Sequence, residues 1–171
     1  MTWPSGRALH GGIDEVPLPD TQGRLWLCGK HYVGPDPEAA LASVDANAVL
    51  CLNQRHELRT RYPEYVDWLE ANAPGRAQWH PIPDLGAPPI DEARSLVAQL
   101  GERVGAGERV IVHCGAGIGR AGTIAAALLM SMGVPLDRAT ATVAASRPNA
   151  GPEAGPQTAL LVALTPGAAG A

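Results

Sequence analysis

The chain has 171 residues, of which 46% are hydrophobic and 18% are charged, and its formal net charge at pH 7 is −4. This length and apolar content suffice for one folded domain with a hydrophobic core. The acidic balance argues against a nucleic-acid partner, and the chain has no run of 18 apolar residues that would predict a membrane span.

Apolar spacing and turn residues predict the following elements in chain order. Residues 1–15 contain glycine and proline and are expected to be irregular. Segments 16–19 and 24–29 flank a turn signal and are predicted to pair as a hairpin. Further strands are predicted at residues 48–52, 78–82 and 110–114. Helices are predicted over residues 36–45, 57–71, 91–104, 120–132, 136–146 and 158–164.

The alternation of strands and helices predicts an α/β fold with a mainly parallel sheet. We expect a single domain over residues 16–165 and a flexible tail over residues 166–171. The first residues lack the apolar core of a signal peptide, so we expect a cytoplasmic location. We also expect a monomer.

Three cysteines, Cys28, Cys51 and Cys114, stand at wide spacing. An odd number at such spacing favours neither a disulfide framework nor a zinc site. A reducing compartment would keep a reactive thiol unoxidised.

The segment RVIVHCGAGIGRAGT, residues 109–123, carries the chemical signal of the chain. Cys114 ends a buried strand and Arg120 begins a helix, with five residues between them. Backbone N–H groups of such a loop and the helix N-terminus attract a phosphate and favour a thiolate. The planar guanidinium of Arg120 suits two phosphate oxygens. The sequence therefore predicts a cysteine nucleophile within a phosphate-binding loop formed by Gly115, Ala116, Gly117, Ile118 and Gly119.

Two further residues are candidates for supporting this chemistry. His113 directly precedes the nucleophile and is predicted to fix the loop backbone by hydrogen bonding. Asp84 lies in the proline-rich segment HPIPDLGAPP, residues 80–89, between a predicted strand and a predicted helix. It is a candidate general acid for the leaving oxygen, and an ordinary turn aspartate is the alternative.

The segment HCGAGIGRAGT resembles the His-Cys-x5-Arg signature loop of protein tyrosine and dual-specificity phosphatases, in a bacterial-type member. PIPDLGAPP is similar to the acid loop of that family. The resemblance implies a phosphotyrosine phosphatase-like fold with a mixed, mainly parallel sheet of about five strands flanked by helices. It implies a phosphocysteine intermediate and no metal or other cofactor. It assigns nucleophile, phosphate clamp and general acid to Cys114, Arg120 and Asp84.

The resemblance also concerns residues beyond the loop. Gln157 resembles the glutamine that orients the hydrolytic water in tyrosine phosphatases, and a helix-start glutamine is the alternative. The family usually has Ser or Thr directly after the arginine, where this chain has Ala121. Thr123 is the nearest hydroxyl, two residues further on. We therefore expect slow hydrolysis of the phosphocysteine.

These observations predict a phosphatase for phosphorylated proteins or peptides, mainly at phosphotyrosine and also at phosphoserine or phosphothreonine. The five loop residues carry no Lys or His, which favours a phosphoprotein over an inositol phosphate. A basic segment after the strand at 48–52 either recruits acidic substrates or is a solvated helix start; it contains Arg55, His56, Arg59 and Arg61.

Three other interpretations would account for parts of the same sequence. A non-catalytic phosphoprotein-binding module would have the same fold and the same loop. A dinucleotide-binding protein would account for the fingerprint formed by Gly117, Gly119 and Gly122, although a helix is predicted where such a unit needs a second strand. A sulfur-transfer enzyme would need a cysteine in an anion-binding loop but no Asp84.

Overall fold

The computed structural model of the protein describes residues 6–167, which form five strands and nine helices. The strands are β1 (Ile13–Val16), β2 (Arg24–Gly29), β3 (Ala48–Cys51), β4 (Ala77–Trp79) and β5 (Arg109–Cys114). The helices are α1 (Gly6–His10), α2 (Lys30–Val33), α3 (Pro37–Ser43), α4 (Arg55–Leu58), α5 (Pro63–Asn72), α6 (Ile90–Gly105), α7 (Gly119–Ser131), α8 (Leu136–Ser146) and α9 (Gly155–Ala163). From residue 168 onward, the predicted tail lies outside the described residues.

The five strands form one sheet in the order β1-β2-β5-β3-β4. The strands from β2 to β4 are parallel to their neighbours, and β1 pairs antiparallel with β2 at the edge. The mixed, mainly parallel five-stranded sheet predicted from the sequence is therefore confirmed. Because parallel strands end at the same edge, Cys114 lies beside Gly29, and His113 pairs with Cys51 on the other side.

Helices cover both faces of the sheet and enclose two apolar clusters. On one face, α6 to α9 pack over β5 residues such as Val110 and Val112. On the other face, α2 to α5 pack over Ile111. The alternation along β5 follows from the two-residue period of a strand. α7 lies in the middle of its layer and is buried from Gly119 to Met130, which explains its run of Ala, Leu and Ile. None of the helices in residues 6–167 is long and apolar enough to cross a bilayer.

The N-terminal segment differs from the prediction. Residues 6–10 form α1 and residues 13–16 form β1, so the expectation of an irregular stretch up to residue 15 is wrong for these residues. The hairpin forms, but its first strand lies three residues earlier than predicted, with Ile13 opposite Cys28 and Val16 opposite Leu25. Pro17 has no backbone N–H to donate to a strand ladder, so the pairing ends before it.

Candidate active site

The loop between β5 and α7 is closed against the end of β2. Gly117 has φ of +75°, in the left-handed region that favours glycine. A Cβ atom on Gly117 would lie 2.3 Å from the carbonyl oxygen of Cys28. Because that contact is with backbone, no side chain fits at this position. The glycine predicted from the motif is thus required both by conformation and by space.

The loop opens into a cavity of about 840 Å³ at the carboxyl edge of the sheet. The cavity is lined by Cys114 and Arg120 and, from the loop before α6, by Asp84. Four of the five predicted loop residues also line it, namely Gly115, Ala116, Ile118 and Gly119. The fold therefore brings together the three residues to which catalytic roles are assigned, although Asp84 lies 30 residues before Cys114 in the chain.

Arg120 is held in place by a carboxylate that the sequence analysis missed. Its Nη1 and Nη2 atoms donate to the two carboxylate oxygens of Glu57, each at 2.8 Å. Nη1 also donates to the backbone oxygen of Ile82 at 2.8 Å. Only 3% of the Arg120 side chain is exposed, so this bidentate pair fixes the plane of the guanidinium beside Cys114.

The charge of Glu57 is stabilised by its surroundings. Burial raises the pKa of this carboxyl, but hydrogen bonds from Arg120 and from the backbone of Gln54 outweigh it and hold the pKa at about 2. Burial likewise lowers the pKa of Arg120, and the hydrogen bonds to Glu57 raise it above its ordinary value. The pair is therefore ionised over the whole physiological range. The sequence signal for Glu57 was the spacing Gln54-x-x-Glu57, which forms a capping box at α4.

Asp84 lies at the mouth of the cavity. Its Oδ1 atom is 3.4 Å from Nη2 of Arg120 and accepts a hydrogen bond from the backbone N–H of Leu85 at 3.0 Å. The side chain is 73% exposed. This position is open to solvent and adjacent to Arg120.

His113 has the contact that the sequence predicted. Its Nδ1 atom lies 3.4 Å from the carbonyl oxygen of Cys114, and its Nε2 atom lies 2.6 Å from the hydroxyl of Tyr65. Burial lowers the pKa of His113 to about 4, so the ring is neutral. A neutral ring that accepts from Tyr65 at Nε2 carries its proton on Nδ1 and donates it to Cys114 O. Tyr65 and His113 together thus fix the peptide that follows the nucleophile.

Thr123 and Gln157, the other supporting candidates, do not line the cavity. The hydroxyl of Thr123 donates to the carbonyl oxygen of Gly119 at 2.6 Å, within α7. The amide of Gln157 accepts from the backbone N–H of Glu153 at 2.7 Å and donates to the carbonyl oxygen of Gly86 at 3.2 Å. Gln157 therefore joins the loop that carries Asp84 to the loop before α9.

An ion-pair network beneath the loop also escaped the sequence analysis. The buried Arg147 donates to the carbonyl oxygen of Ala116 at 2.7 Å and to the carboxylate of Asp14 at 2.8 Å. Asp14 also accepts from Arg7 of α1 at 2.7 Å. Arg147 thereby connects the phosphate-binding loop to the N-terminal hairpin. No local pattern could have found it, because Asp14 and Arg147 are 133 residues apart.

The remaining sequence candidates lie away from the cavity. Arg55 contacts the carboxylate of Glu70 and lies over the ring of Trp79, and none of the four basic residues at 55–61 lines the cavity. Cys28 and Cys51 pack in the apolar cluster on the opposite face from Cys114. Burial raises the pKa of Cys51 to about 12 and raises that of Cys28 further. Among residues 6–167 no three potential metal ligands come together.

Comparisons with known proteins found one matching family model and similar solved structures. The family model described as "Swiss Army Knife protein, DSP-PTPase phosphatase domain" matches residues 27–167. The solved structure of Tk-PTP in the active form is 26% identical, covers 95% of this chain and 97% of its own, and has a TM-score of 0.65.

Two further solved structures share the fold. Kinase associated phosphatase, with its catalytic site cysteine changed to serine, is 22% identical, with 94% and 97% of the two chains covered and a TM-score of 0.77. A mouse putative dual specificity phosphatase complexed with zinc tungstate is 23% identical, with 96% and 91% covered and a TM-score of 0.65. No curated protein matches the chain.

Proposed function

The chain belongs to the family of DSP-PTPase phosphatase domains, and from this premise we propose that it hydrolyses phosphomonoesters of proteins through a phosphocysteine intermediate. The proposed substrate is mainly phosphotyrosine, with phosphoserine and phosphothreonine as additional substrates. The observation that carries the proposal is the meeting of Cys114, Arg120 and Asp84 in one cavity, on three different elements.

In the proposed first step, the Cys114 thiolate attacks phosphorus, the S–P bond forms and the ester P–O bond breaks. Asp84 gives its proton to the leaving oxygen, which its exposed position at the cavity mouth allows. Arg120, fixed by Glu57, binds two equatorial oxygens as charge spreads over them. The convergent N–H groups of the loop at the start of α7 bind the same oxygens.

In the proposed second step, water attacks phosphorus, the S–P bond breaks and Asp84 accepts the proton of the water. This leaves inorganic phosphate and the thiolate, so the cycle closes without any cofactor. Gln157 does not line the cavity and is bonded to the backbone of Glu153 and to that of Gly86. We therefore propose that Gln157 holds the loop of Asp84 in position and does not itself orient the water.

Support for a protein substrate comes from the loop. Residues 115–119 carry no Lys or His, so the loop itself would bind a single phosphate through its backbone groups and through Arg120, which follows it. A cytoplasmic location and a monomeric state stay predictions from the sequence.

The test is a panel of phosphotyrosine, phosphoserine and phosphothreonine peptides and phosphoinositides. The wild type should favour phosphotyrosine, and Cys114→Ser should be inactive on every substrate. Asp84→Ala should lose about 10²–10⁴-fold in kcat on alkyl phosphates and much less on aryl phosphates with good leaving groups. Asp91→Ala, which removes a 93% exposed acid at the start of α6, is the matched control and should be active.

Quenched mass spectrometry of turning-over enzyme should find phosphate on Cys114. Turnover by Cys114→Ser at the wild-type rate, or binding of phosphopeptides with no turnover by wild type, would contradict the proposal. The second result would favour the phosphoprotein-binding module.

A further inference from the structure

The cavity has a basic wall. α1 packs against α2, with the rings of His10 and Tyr32 edge to face at 4.8 Å. Every cationic or histidine side chain that lines the cavity, apart from Arg120 and Arg147, comes from these two helices: Arg7, His10, Lys30 and His31. A substrate bound at Cys114 therefore meets the basic groups of α1 and α2 on one side.

Apart from Glu57 of α4, whose carboxylate is paired with Arg120, the acidic groups that line the cavity lie on two other loops. Asp84 precedes α6 and Glu153 precedes α9, and both line the cavity. Gln157 bonds to the backbone of Glu153 and to that of Gly86, so these two loops are neighbours. The cavity is thus electrostatically polarised, and an anionic substrate group beyond the scissile phosphate would be directed away from this side.

Of the cations around the cavity, Lys30 lacks a carboxylate partner. Arg7 and Arg147 both pair with Asp14, and Arg120 pairs with Glu57. The Lys30 ammonium donates to the carbonyl oxygen of Glu57 at 3.2 Å. No carboxylate of residues 6–167 lies within salt-bridge distance of it.

Lys30 is tied to the nucleophile loop. Its residue follows Gly29, which pairs with Cys114 in the sheet, and its backbone N–H donates to Gly115 O at 3.0 Å. The Nδ1 atom of the neighbouring His31 is engaged with the hydroxyl of Tyr62 at 2.6 Å, and burial, together with the charges of Arg61 and Lys30, lowers the pKa of its ring. Lys30 lines the cavity, and its ammonium has N–H donors beyond the one bonded to Glu57; a partly buried ammonium of this kind is most stable with an anion beside it.

We propose that Lys30 forms a second anion subsite, which binds an acidic group next to the scissile phosphate. This rests on the proposed function, under which the substrate is a phosphopeptide with an acidic side chain beside the phosphorylated residue. Lys30 is the only lysine of the chain and stands outside the residues of the phosphate-binding loop. It therefore adds selectivity for a second charge without changing the loop itself.

The first test compares two anions by calorimetry with the wild-type protein in the presence of a chelator. Inorganic phosphate carries one anionic group, and methylenediphosphonate carries two that are joined by a bridge the enzyme cannot hydrolyse. The wild type should bind the diphosphonate more tightly than phosphate. Lys30→Gln should lower the ratio of the two affinities about tenfold, the effect of one charge-assisted hydrogen bond. Lys30→Arg should restore it.

The matched control is Arg24→Gln, which removes one exposed positive charge from the opposite end of β2. It should leave the affinity ratio at the wild-type value. An equal ratio in wild type and Lys30→Gln, or an equal fall in both variants, would overturn the subsite and leave the proposed phosphatase function standing. A wild type that binds neither anion would instead refute the proposed function.

The second test uses two phosphotyrosine peptides that carry either Glu or Gln on both sides of the phosphotyrosine. The wild type should prefer the Glu peptide in kcat/KM, and Lys30→Gln should lose that preference. Equal kcat/KM values for the two peptides in wild type would contradict the proposal that the anion bound by Lys30 is an acidic side chain of the substrate peptide.

Discussion

The most direct test of the site geometry is Glu57→Gln. Glu57 uses both carboxylate oxygens twice. Oε2 accepts from Nη1 of Arg120 at 2.8 Å and from the backbone of Gln54 at 2.7 Å. Oε1 accepts from Nη2 of Arg120 at 2.8 Å and from Nδ2 of Asn53 at 3.0 Å. Glutamine has one oxygen and one NH₂ group, so in either orientation two of the four donors face another donor.

The expected loss of stability follows from that count. A hydrogen bond to a charged group contributes about 1.5–3 kcal/mol, so two lost bonds correspond to roughly 3–6 kcal/mol. Removing one partner of a buried ion pair typically costs about 3–5 kcal/mol, which agrees. We expect Glu57→Gln to lower the free energy of unfolding by about 3–5 kcal/mol and Tm by about 6–20 °C.

The activity should fall as well, because the guanidinium of Arg120 loses its fixed plane. A misplacement of about 1 Å costs about 10²-fold in rate, so we expect kcat/KM to drop by about that factor. The assays are urea unfolding and hydrolysis of an aryl phosphate. Glu70→Gln makes the same chemical change in a half-exposed pair with Arg55, and should cost less than about 1 kcal/mol with full activity. If the two variants were equally stable, the account of the Arg120 clamp would be wrong.

Three other changes have defined outcomes. The pKa of Glu57 is about 2 in the folded protein against an ordinary 4.5. Its contribution to stability is therefore complete above about pH 4.5 and is lost as the pH falls toward 2. Urea unfolding over that range should show this loss in wild type and not in Glu57→Gln. In Gly117→Ala the new methyl group meets the backbone of Cys28, and phosphate binding measured by calorimetry should be abolished. The control is Gly133→Ala, because Gly133 also has a positive φ but has open space around it. This variant should lose only about 1–2 kcal/mol of stability and should bind phosphate normally. Ala121→Ser should speed hydrolysis of the phosphocysteine several-fold, measured as the rate of the second phase in burst kinetics. Equal second-phase rates in wild type and Ala121→Ser would contradict the expectation that Ala121 slows this step.

The parts of the fold that were predicted correctly depend on local pattern. β5, the loop and α7 follow one another in the sequence, and the apolar run, the glycines and Arg120 each have a local reason. The sheet could be predicted because alternating strands and helices leave few other arrangements. The first strand was predicted three residues too late. Its sequence, Ile13-Asp14-Glu15-Val16, gives a weak signal for a strand, because the ion pairs of Asp14 with Arg7 and Arg147 cannot be read from it.

The parts that were missed depend on contacts distant in sequence. Glu57 is 63 residues from Arg120, so its spacing showed a helix cap but not its partner. Lys30 gave no signal, because the role that we propose for it depends on the pairing of Gly29 with Cys114. Gln157 was singled out for its resemblance to a catalytic glutamine, and its bonds to Glu153 and Gly86 could not be read from that resemblance.

The link from Arg147 to Asp14 has a consequence for how the protein can be shortened. Asp14 neutralises a guanidinium that is 5% exposed and that bonds to the oxygen of Ala116. A version of the protein that begins at β2 would keep every residue of the phosphate-binding loop. It would lack Asp14, so the buried guanidinium of Arg147 would have no counter-charge. This truncation would disturb the phosphate-binding loop through Arg147, although it removes no residue of the loop. Inactivity of the shortened protein would therefore not be evidence against the chemistry proposed for the full chain.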